Sequence, residues 1–168
     1  MIERQHSGDG RDSRAVYSDC GAYRYALTRR WGPGAALVWV MLNPSTATEA
    51  ANDPTIERVE RRSRMLGYDA LSVVNLFAWR ATRPADLARA GDPVGPDNDA
   101  VILETVAGGA AVLCAWGVHG ALHGRDAVVR GMLAGSGQRL LHLGLTAGGA
   151  PRHPLYVAYA RAPELWRP

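Results

Sequence analysis

The chain of 168 residues contains no lysine, so all 19 of its fixed side-chain positive charges are arginines. That absence excludes Schiff-base chemistry from a lysine amine. It also excludes an ordinary phosphate-binding P-loop, whose Gly-Lys-Ser/Thr step needs the ammonium. Cysteine is nearly as scarce, and Cys20 and Cys114 lie far apart. Two thiols are too few for a cysteine-held iron–sulfur cluster, which takes about four, and they show no zinc-type spacing. Cys114 sits in the apolar run Ala111-Val-Leu-Cys-Ala-Trp116 and reads as a small, reduced core residue. No apolar run approaches the ~20 residues that span a bilayer. Residues 1–14 are polar and lack the apolar core of a secretion signal. They read as a flexible tail ahead of a single domain over 15–168, in a cytoplasmic, monomeric protein with no membrane partner.

What is present is globular: 47% hydrophobic and 21% charged residues. The net charge of +3 permits an anionic partner without demanding one. Four short Val/Leu-rich runs, Ala36–Leu42, Leu71–Phe77, Ala110–Trp116 and Arg139–Leu143, read as buried parallel strands. Helical patterns fall between them. Asp53-Pro54 is a helix start with an aspartate N-cap and proline at the first position. Ile56, Val59, Ser63 and Leu66 follow one face of it, and Gly67 ends it. A second helix starts near Asp97-Asn98, and a third covers about His119 to Leu133. The alternation predicts an α/β fold, a three-layer α/β/α arrangement on a four-stranded parallel sheet. Tyr23–Arg29 alternates like an edge strand, expected to join the sheet antiparallel at its margin.

In open parallel sheets ligands bind beyond the carboxyl ends of the strands. Three segments there carry chemistry. The first runs Met41-Leu-Asn-Pro-Ser-Thr-Ala-Thr48 and continues to Asp53. An Asn-Pro break after a buried strand aims the Asn43 amide, both donor and acceptor, into the crevice. Asp53 has two readings, a structural N-cap and a catalytic carboxylate. The second segment carries Asn75, Trp79 and Arg80. Arg80 could grip a phosphate or carboxylate, or pair with Asp86, and Trp79 could stack on a base or pack in the core. The third is Gly148-Gly-Ala-Pro-Arg-His-Pro-Leu-Tyr156, in which two prolines stiffen the loop around Arg152 and His153. A stiff loop suits an imidazole that donates a hydrogen bond to a ligand oxygen. His119 and His123 have helical metal spacing but no intervening glutamate and no evident third ligand, so no metal and no cofactor are expected. His119 near a helix start suits a ligand phosphate instead. A Ser45–His153–Asp53 triad can be written on paper, but no Gly-x-Ser-x-Gly elbow supports it. Arg58, Arg61, Arg62 and Arg64 are read either as a nucleic-acid-facing surface or as a solvated helix face.

In order and spacing, Leu37-Val-Trp-Val-Met-Leu-Asn-Pro-Ser45, Asn75-Leu-Phe-Ala-Trp-Arg-Ala-Thr82 with Ala85-Asp-Leu87, Ala111–Gly117 and Arg152-His-Pro-Leu-Tyr156 resemble the motifs of the uracil-DNA glycosylase superfamily, closest to its mismatch-specific uracil/thymine branch. The resemblance covers about residues 36 to 157. The chain is also similar to a bacterial family catalogued as domain of unknown function 1643, through Leu-Asn-Pro-Ser-Thr-Ala, Asn-Asp-Pro-Thr-Ile and His-Pro-Leu-Tyr. The glycosylase resemblance implies hydrolysis of an N-glycosidic bond in DNA at a deaminated or mismatched base, which is flipped out of the stack. It implies that Asn43 holds the attacking water and that His153 donates to the base carbonyl. The implied substrate wall takes Leu42, Pro44, Ser45 and Thr46 from the first segment. Asn75, Phe77 and Arg80 come from the second, with Asn75 on the base edge and Arg80 on a phosphate. Trp116 and His119 follow the third strand, and Arg152 and Tyr156 the fourth; Leu155 or Tyr156 would fill the gap in the duplex. Ser45 stands where that branch has glycine, and no aspartate directly follows the first strand, so slower or different chemistry is expected. Two alternatives remain: the same pocket acting on a free nucleoside or nucleotide, and a non-catalytic nucleic-acid-binding module.

Overall fold

The structure is a computed structural model of residues 1–168, with Pro84 described in its backbone only. Its strands are β1 (Ile2–Gly8), β2 (Arg11–Tyr17), β3 (Arg24–Arg30), β4 (Ala36–Met41), β5 (Ala70–Asn75), β6 (Ala111–Cys114), β7 (Leu140–His142) and β8 (Glu164–Leu165). Its α-helices are α1 (Pro54–Met65), α2 (Pro84–Arg89), α3 (Asn98–Ala107) and α4 (Arg125–Ala134). The strands form one eight-stranded mixed sheet in the order β1-β2-β3-β5-β4-β6-β7-β8. This overturns the predicted four-stranded parallel sheet with one antiparallel edge strand. Four of the seven pairings are antiparallel, and only β5–β4, β4–β6 and β6–β7 are parallel.

Two physical reasons account for the difference. Residues 1–14, expected as a tail, belong to a hairpin of β1 and β2 in register from Ile2↔Tyr17 to Gly8↔Arg11. Its turn is Asp9-Gly10, both at positive φ (53° and 70°), the backbone sense that matches strand twist. β1 is solvent-exposed on both faces, so it has no apolar alternation to betray it. Cross-strand pairs, Arg14 with Glu3 at 2.6 Å and Ser7 with Asp12 at 2.7 Å, accompany the ladder. β3 is antiparallel but interior, between β2 and β5. Its charges look like those of an edge, yet Arg24 and Arg29 are buried and turned inward.

Both faces of the sheet are covered at its parallel centre. On one, Leu37, Trp39 and Met41 pack with Ile56 and Val59 of α1. On the other, Val38, Val40 and Leu42 pack with Ile102 and Val106 of α3 and Val129 and Leu133 of α4. Alternation along β4 sends successive side chains into the two cores. Trp39 Nε1 donates to Ser63 Oγ at 3.0 Å, and Ser63 Oγ to Val59 O at 2.7 Å, so the buried indole is tied to α1 without an orphan donor. α1 starts where expected, with Asp53 as N-cap and Pro54 at the first position. The third predicted helix is broken. Val118–Gly124 is a 3₁₀ segment with Leu122 extended and His123 at φ 54°, before α4. His119 and His123 are therefore not stacked on one helical face, and both are exposed.

Candidate functional site

The sheet order sets β5, β4, β6 and β7 side by side with their carboxyl ends at one edge. A cavity of about 590 Å³ lies there, within the ordinary size of ligand sites. It brings together Asn43, Asp53 and His153, with Leu42, Ser45, Trp116, His119, Arg152 and Tyr156 also on its wall.

Asn43 lies two residues beyond the end of β4. Its Nδ2 donates to Pro44 O at 3.0 Å and to Ala81 O at 2.7 Å. Those bonds use both amide hydrogens, fix the amide orientation, and leave Oδ1 as the acceptor available to the cavity. Asp53 is nearly buried and does a cap's work, with Oδ1 accepting from Ile56 N at 2.9 Å and Oδ2 from Ala47 N at 3.2 Å. It also forms cavity wall, so the structural and the site placement coincide in one residue.

His153 lies between Pro151 and Pro154. Its Nδ1 accepts from Leu155 N at a long 3.4 Å. In a neutral imidazole one nitrogen accepts and the other donates, so this assigns the hydrogen to Nε2. Burial lowers the His153 pKa below its ordinary value near 6.5, and the Asp53 carboxylate partly opposes that. The ring is thus a neutral N–H donor at neutral pH. Gly117, at the exit of β6, has φ 73° and ψ −172°, a conformation open to glycine alone. Its N–H donates to Pro151 O at 2.8 Å, which ties the exit of β6 to the His153 loop.

The loop after Asn43 is held from below by two arginines of β3. Arg24 Nη1 donates to Ala47 O. Arg29 Nη2 donates to Thr48 O at 2.5 Å and Ala51 O at 3.2 Å, and its Nε to Asn52 Oδ1 at 3.1 Å. Burial pulls Arg24 down to about 10, with Asp53 the main opposing influence, so it stays charged at neutral pH. The His153 loop is held by α1. Arg58 Nε donates to Pro154 O at 2.8 Å and Nη2 to Val157 O at 2.5 Å. Arg62, 2% exposed, donates to the carbonyls of Val157, Ala158, Tyr159 and Arg161. Arg58 and Arg62 are therefore neither a nucleic-acid surface nor a solvated face. They are internal clamps on the chain that follows His153.

Some predicted wall residues lie elsewhere. Phe77 is fully buried in the core on the α3 and α4 side. Pro44 is buried, although its carbonyl still orients Asn43. Asn75 is buried outside the cavity wall, and neither side-chain atom has a partner among the described residues. Thr46 and Arg80 line a neighbouring hollow of about 480 Å³ with Trp79, which packs edge-on against Tyr23 at 5.3 Å. Asp86 pairs with Arg83, not Arg80. Sequence reading missed Thr55, Val118 and Thr146 on the cavity wall. It also missed Arg24, whose position in an alternating strand suggested a solvent-facing charge. Thr55 had a readable sign: it is one residue into the helix that Asp53 caps. Among the described residues no cluster of three His, Cys, Asp or Glu is placed to hold a metal ion, and no helix is long and apolar enough to cross a membrane.

A family model described as "Protein of unknown function (DUF1643)" matches residues 24–155. That is well over half of the chain, so the chain belongs to this family. The matched span runs from β3 to the residue after Pro154 and so contains Asn43, Asp53 and His153, while the β1–β2 hairpin and β8 lie outside it. No curated protein and no solved structure matches the chain, and none of these comparisons names a glycosylase.

Proposed function

We propose that this member of the DUF1643 family is a cytoplasmic N-glycosidic hydrolase acting on a deaminated or mismatched base in nucleic acid. The observation that carries the reading is the pairing, in one cavity of about 590 Å³, of an oriented acceptor with an oriented neutral donor. The acceptor is Asn43 Oδ1, and the donor is the Nε2–H of His153. The motif resemblance to the uracil-DNA glycosylase superfamily supports the same assignment. In the reaction the bond between C1′ and the base nitrogen breaks, and the base leaves with the electron pair. Water accepts C1′ of the cation-like sugar through its oxygen and gives its proton to solvent or to the departing base. Asn43 Oδ1 would hold that water by one hydrogen. His153 would donate to the base carbonyl on which negative charge grows, a task for a neutral ring that is already oriented. Asp53 supplies negative charge in the wall near the sugar.

Base release from labelled single- and double-stranded DNAs carrying uracil, hypoxanthine, xanthine or mismatched thymine tests this. Abasic product that falls at least about a hundredfold in Asn43→Ala and in His153→Gln is the expected result, the usual size for losing a positioned polar group. No product from any substrate, with strand binding intact, would make the chain a binding module instead.

A second reading, the same pocket acting on a free nucleoside or nucleotide, has one observation in its favour. Arg58 and Arg62, the core of the arginine-rich helix, are engaged with backbone carbonyls and are not free for a long phosphate backbone. Base or sugar release from free nucleosides by the same protein would establish it.

A further inference from the structure

The central cavity is one of three hollows set side by side along the carboxyl edge of the sheet. The hollow around Arg80 shares Ser45, Ala81 and Thr82 with it. On the other side, a hollow of about 320 Å³ beyond β7 shares Arg152 and Tyr156 with it. Strand order aligns them: β5 leads to the first, β4 and β6 to the second, β7 to the third. Strands lie roughly 4.8 Å apart, so three strand spacings from β5 to β7 cover about 14 Å, more than one nucleotide needs.

Among the described residues, Arg80 and Arg152 on this track are not ion-paired, although Asp53 and Asp86 also line it. Arg80 is exposed; its Nη1 makes one long bond to Gly21 O at 3.4 Å, and its guanidinium lies over the Tyr17 ring at 5.6 Å. Arg152 is exposed and uses only Nε, toward Leu145 O at 3.1 Å. Neither has a carboxylate partner among the described residues, whereas Arg83 and Arg161 nearby are each ion-paired. Thr46, Ser45 and Thr82 add hydroxyls on the Arg80 side. Tyr156, 83% exposed, and Val118 and Leu155 form an apolar rim at the central mouth. An exposed aromatic at the mouth of a pocket can serve as a stacking platform for a base.

We infer that the three hollows form a binding track for one single strand of nucleic acid. The middle hollow takes a base, and Arg80 and Arg152 hold phosphates on either side of it. This rests on the hydrolase reading for the identity of the middle guest, and it narrows the substrate from a nucleotide to a strand that continues in both directions. Arg58 and Arg62 offer nothing to a second strand, because they already hold the chain after His153.

Fluorescence anisotropy of a labelled eight-nucleotide single strand, over a sodium chloride series, tests the track without requiring turnover. The full-length protein should bind the strand far more tightly than a nucleoside monophosphate used as competitor. Arg80→Gln and Arg152→Gln should each weaken strand binding roughly tenfold. Each should also take about 0.7 off the slope of log affinity against log salt, the share of one phosphate on a single strand. Arg14→Gln, on the β1–β2 hairpin and paired with Glu3 away from the track, should change neither. The track is overturned if the monophosphate competes as well as the strand, if both variants keep the original slope, or if a duplex of the same sequence binds more tightly. Strand binding with no base release would remove the hydrolase and leave the track. Base release from free nucleosides with no strand binding would do the reverse.

Discussion

Helix α1 and the carboxyl edge of the sheet are both furnished with arginine, and the two regions use it in opposite ways. On α1, Arg58 and Arg62 turn toward the chain beyond His153 and give their hydrogens to its carbonyls. Tyr159 lies against them, with Arg58 4.4 Å and Arg62 5.4 Å from its ring centre. Arg64 is paired with Glu60, which also accepts from Arg11 and Asn52. At the sheet edge, Arg80 and Arg152 keep most of their donors for something outside the chain. The guanidinium fork explains how one residue type does both. Its five donors can satisfy several carbonyls of an irregular segment at once, and the same planar fork grips a phosphate when left free. In a chain without lysine, a run of basic residues is thus no guide to a binding surface. What matters is whether the donors are already taken.

The largest effect that separates the two regions is on stability. Arg62→Ala would remove a buried side chain and the donors to the carbonyls of Ala158, Tyr159 and Arg161, while Val157 O keeps its bond from Arg58. Several orphaned acceptors cost about 3 kcal/mol or more. At this chain length that lowers the melting temperature by roughly 6–12 °C. Arg62→Lys should recover only part of it, since an ammonium cannot span the same set of acceptors. A thermal melt of Arg62→Ala within about 2 °C of the parent would break the comparison.

Asp53→Ala comes next, at about 2 kcal/mol in urea unfolding. The change removes the acceptor for the Ile56 N–H at the start of α1 and for Ala47 in the Asn43 loop. Asp53→Asn keeps an acceptor for the cap and should cost less. If the two variants lose the same stability, the charge facing Arg24, not the cap, is what Asp53 contributes.

The same contrast explains how far the sequence could be read. Asn43-Pro44 after a Val-rich run, and Asp53-Pro54 before an amphipathic one, state their local geometry in the residues themselves, and β4 and α1 follow from them. His153 between two prolines was equally visible. Arg24 and Arg29 were not, because alternation treats a charged residue as solvent-facing, whereas these two reach carbonyls of the loop above them. That inward turn is what hid the interior position of β3. β1 lacks any buried face to read, and β2 buries only Ser13, Ala15 and Tyr17, so the Asp9-Gly10 turn is the clearest local sign of the hairpin. The break at Leu122-His123 lies between Gly120 and Gly124, poor helix formers in a run otherwise read as helical.

A third effect is a pH dependence. His153 is held below its ordinary pKa by burial. Its neutral form is therefore the native one, and its contribution to stability is fully present above about pH 6.5, the unfolded value. As pH falls below that, the unfolded chain takes up a proton that the folded ring resists, so stability declines until the folded pKa is passed. His153→Gln should flatten this part of the profile, read as the urea midpoint between pH 7 and pH 5. A parent and variant with parallel profiles would show that His153 is not the group responsible. Base release should persist through that range and fall only at lower pH, where the folded ring itself takes a proton and Nδ1 can no longer accept from Leu155 N.

The smallest expected effect on stability is at the sheet edge. Arg80→Gln and Arg152→Gln each remove a charge that holds no carboxylate and makes a single bond of 3.1 Å or longer to a backbone oxygen. Exposed residues of this kind contribute within about 0.5 kcal/mol. Their melts should overlay that of the parent, while Arg62→Ala in the same experiment falls steeply. A destabilised Arg80→Gln would mean that its place over the Tyr17 ring, beside the Tyr17–Glu49 hydrogen bond of 2.8 Å, makes it part of the scaffold under the Asn43 loop. Its donors would then be committed inward like those of α1, and the track would lose the charge at its β5 end.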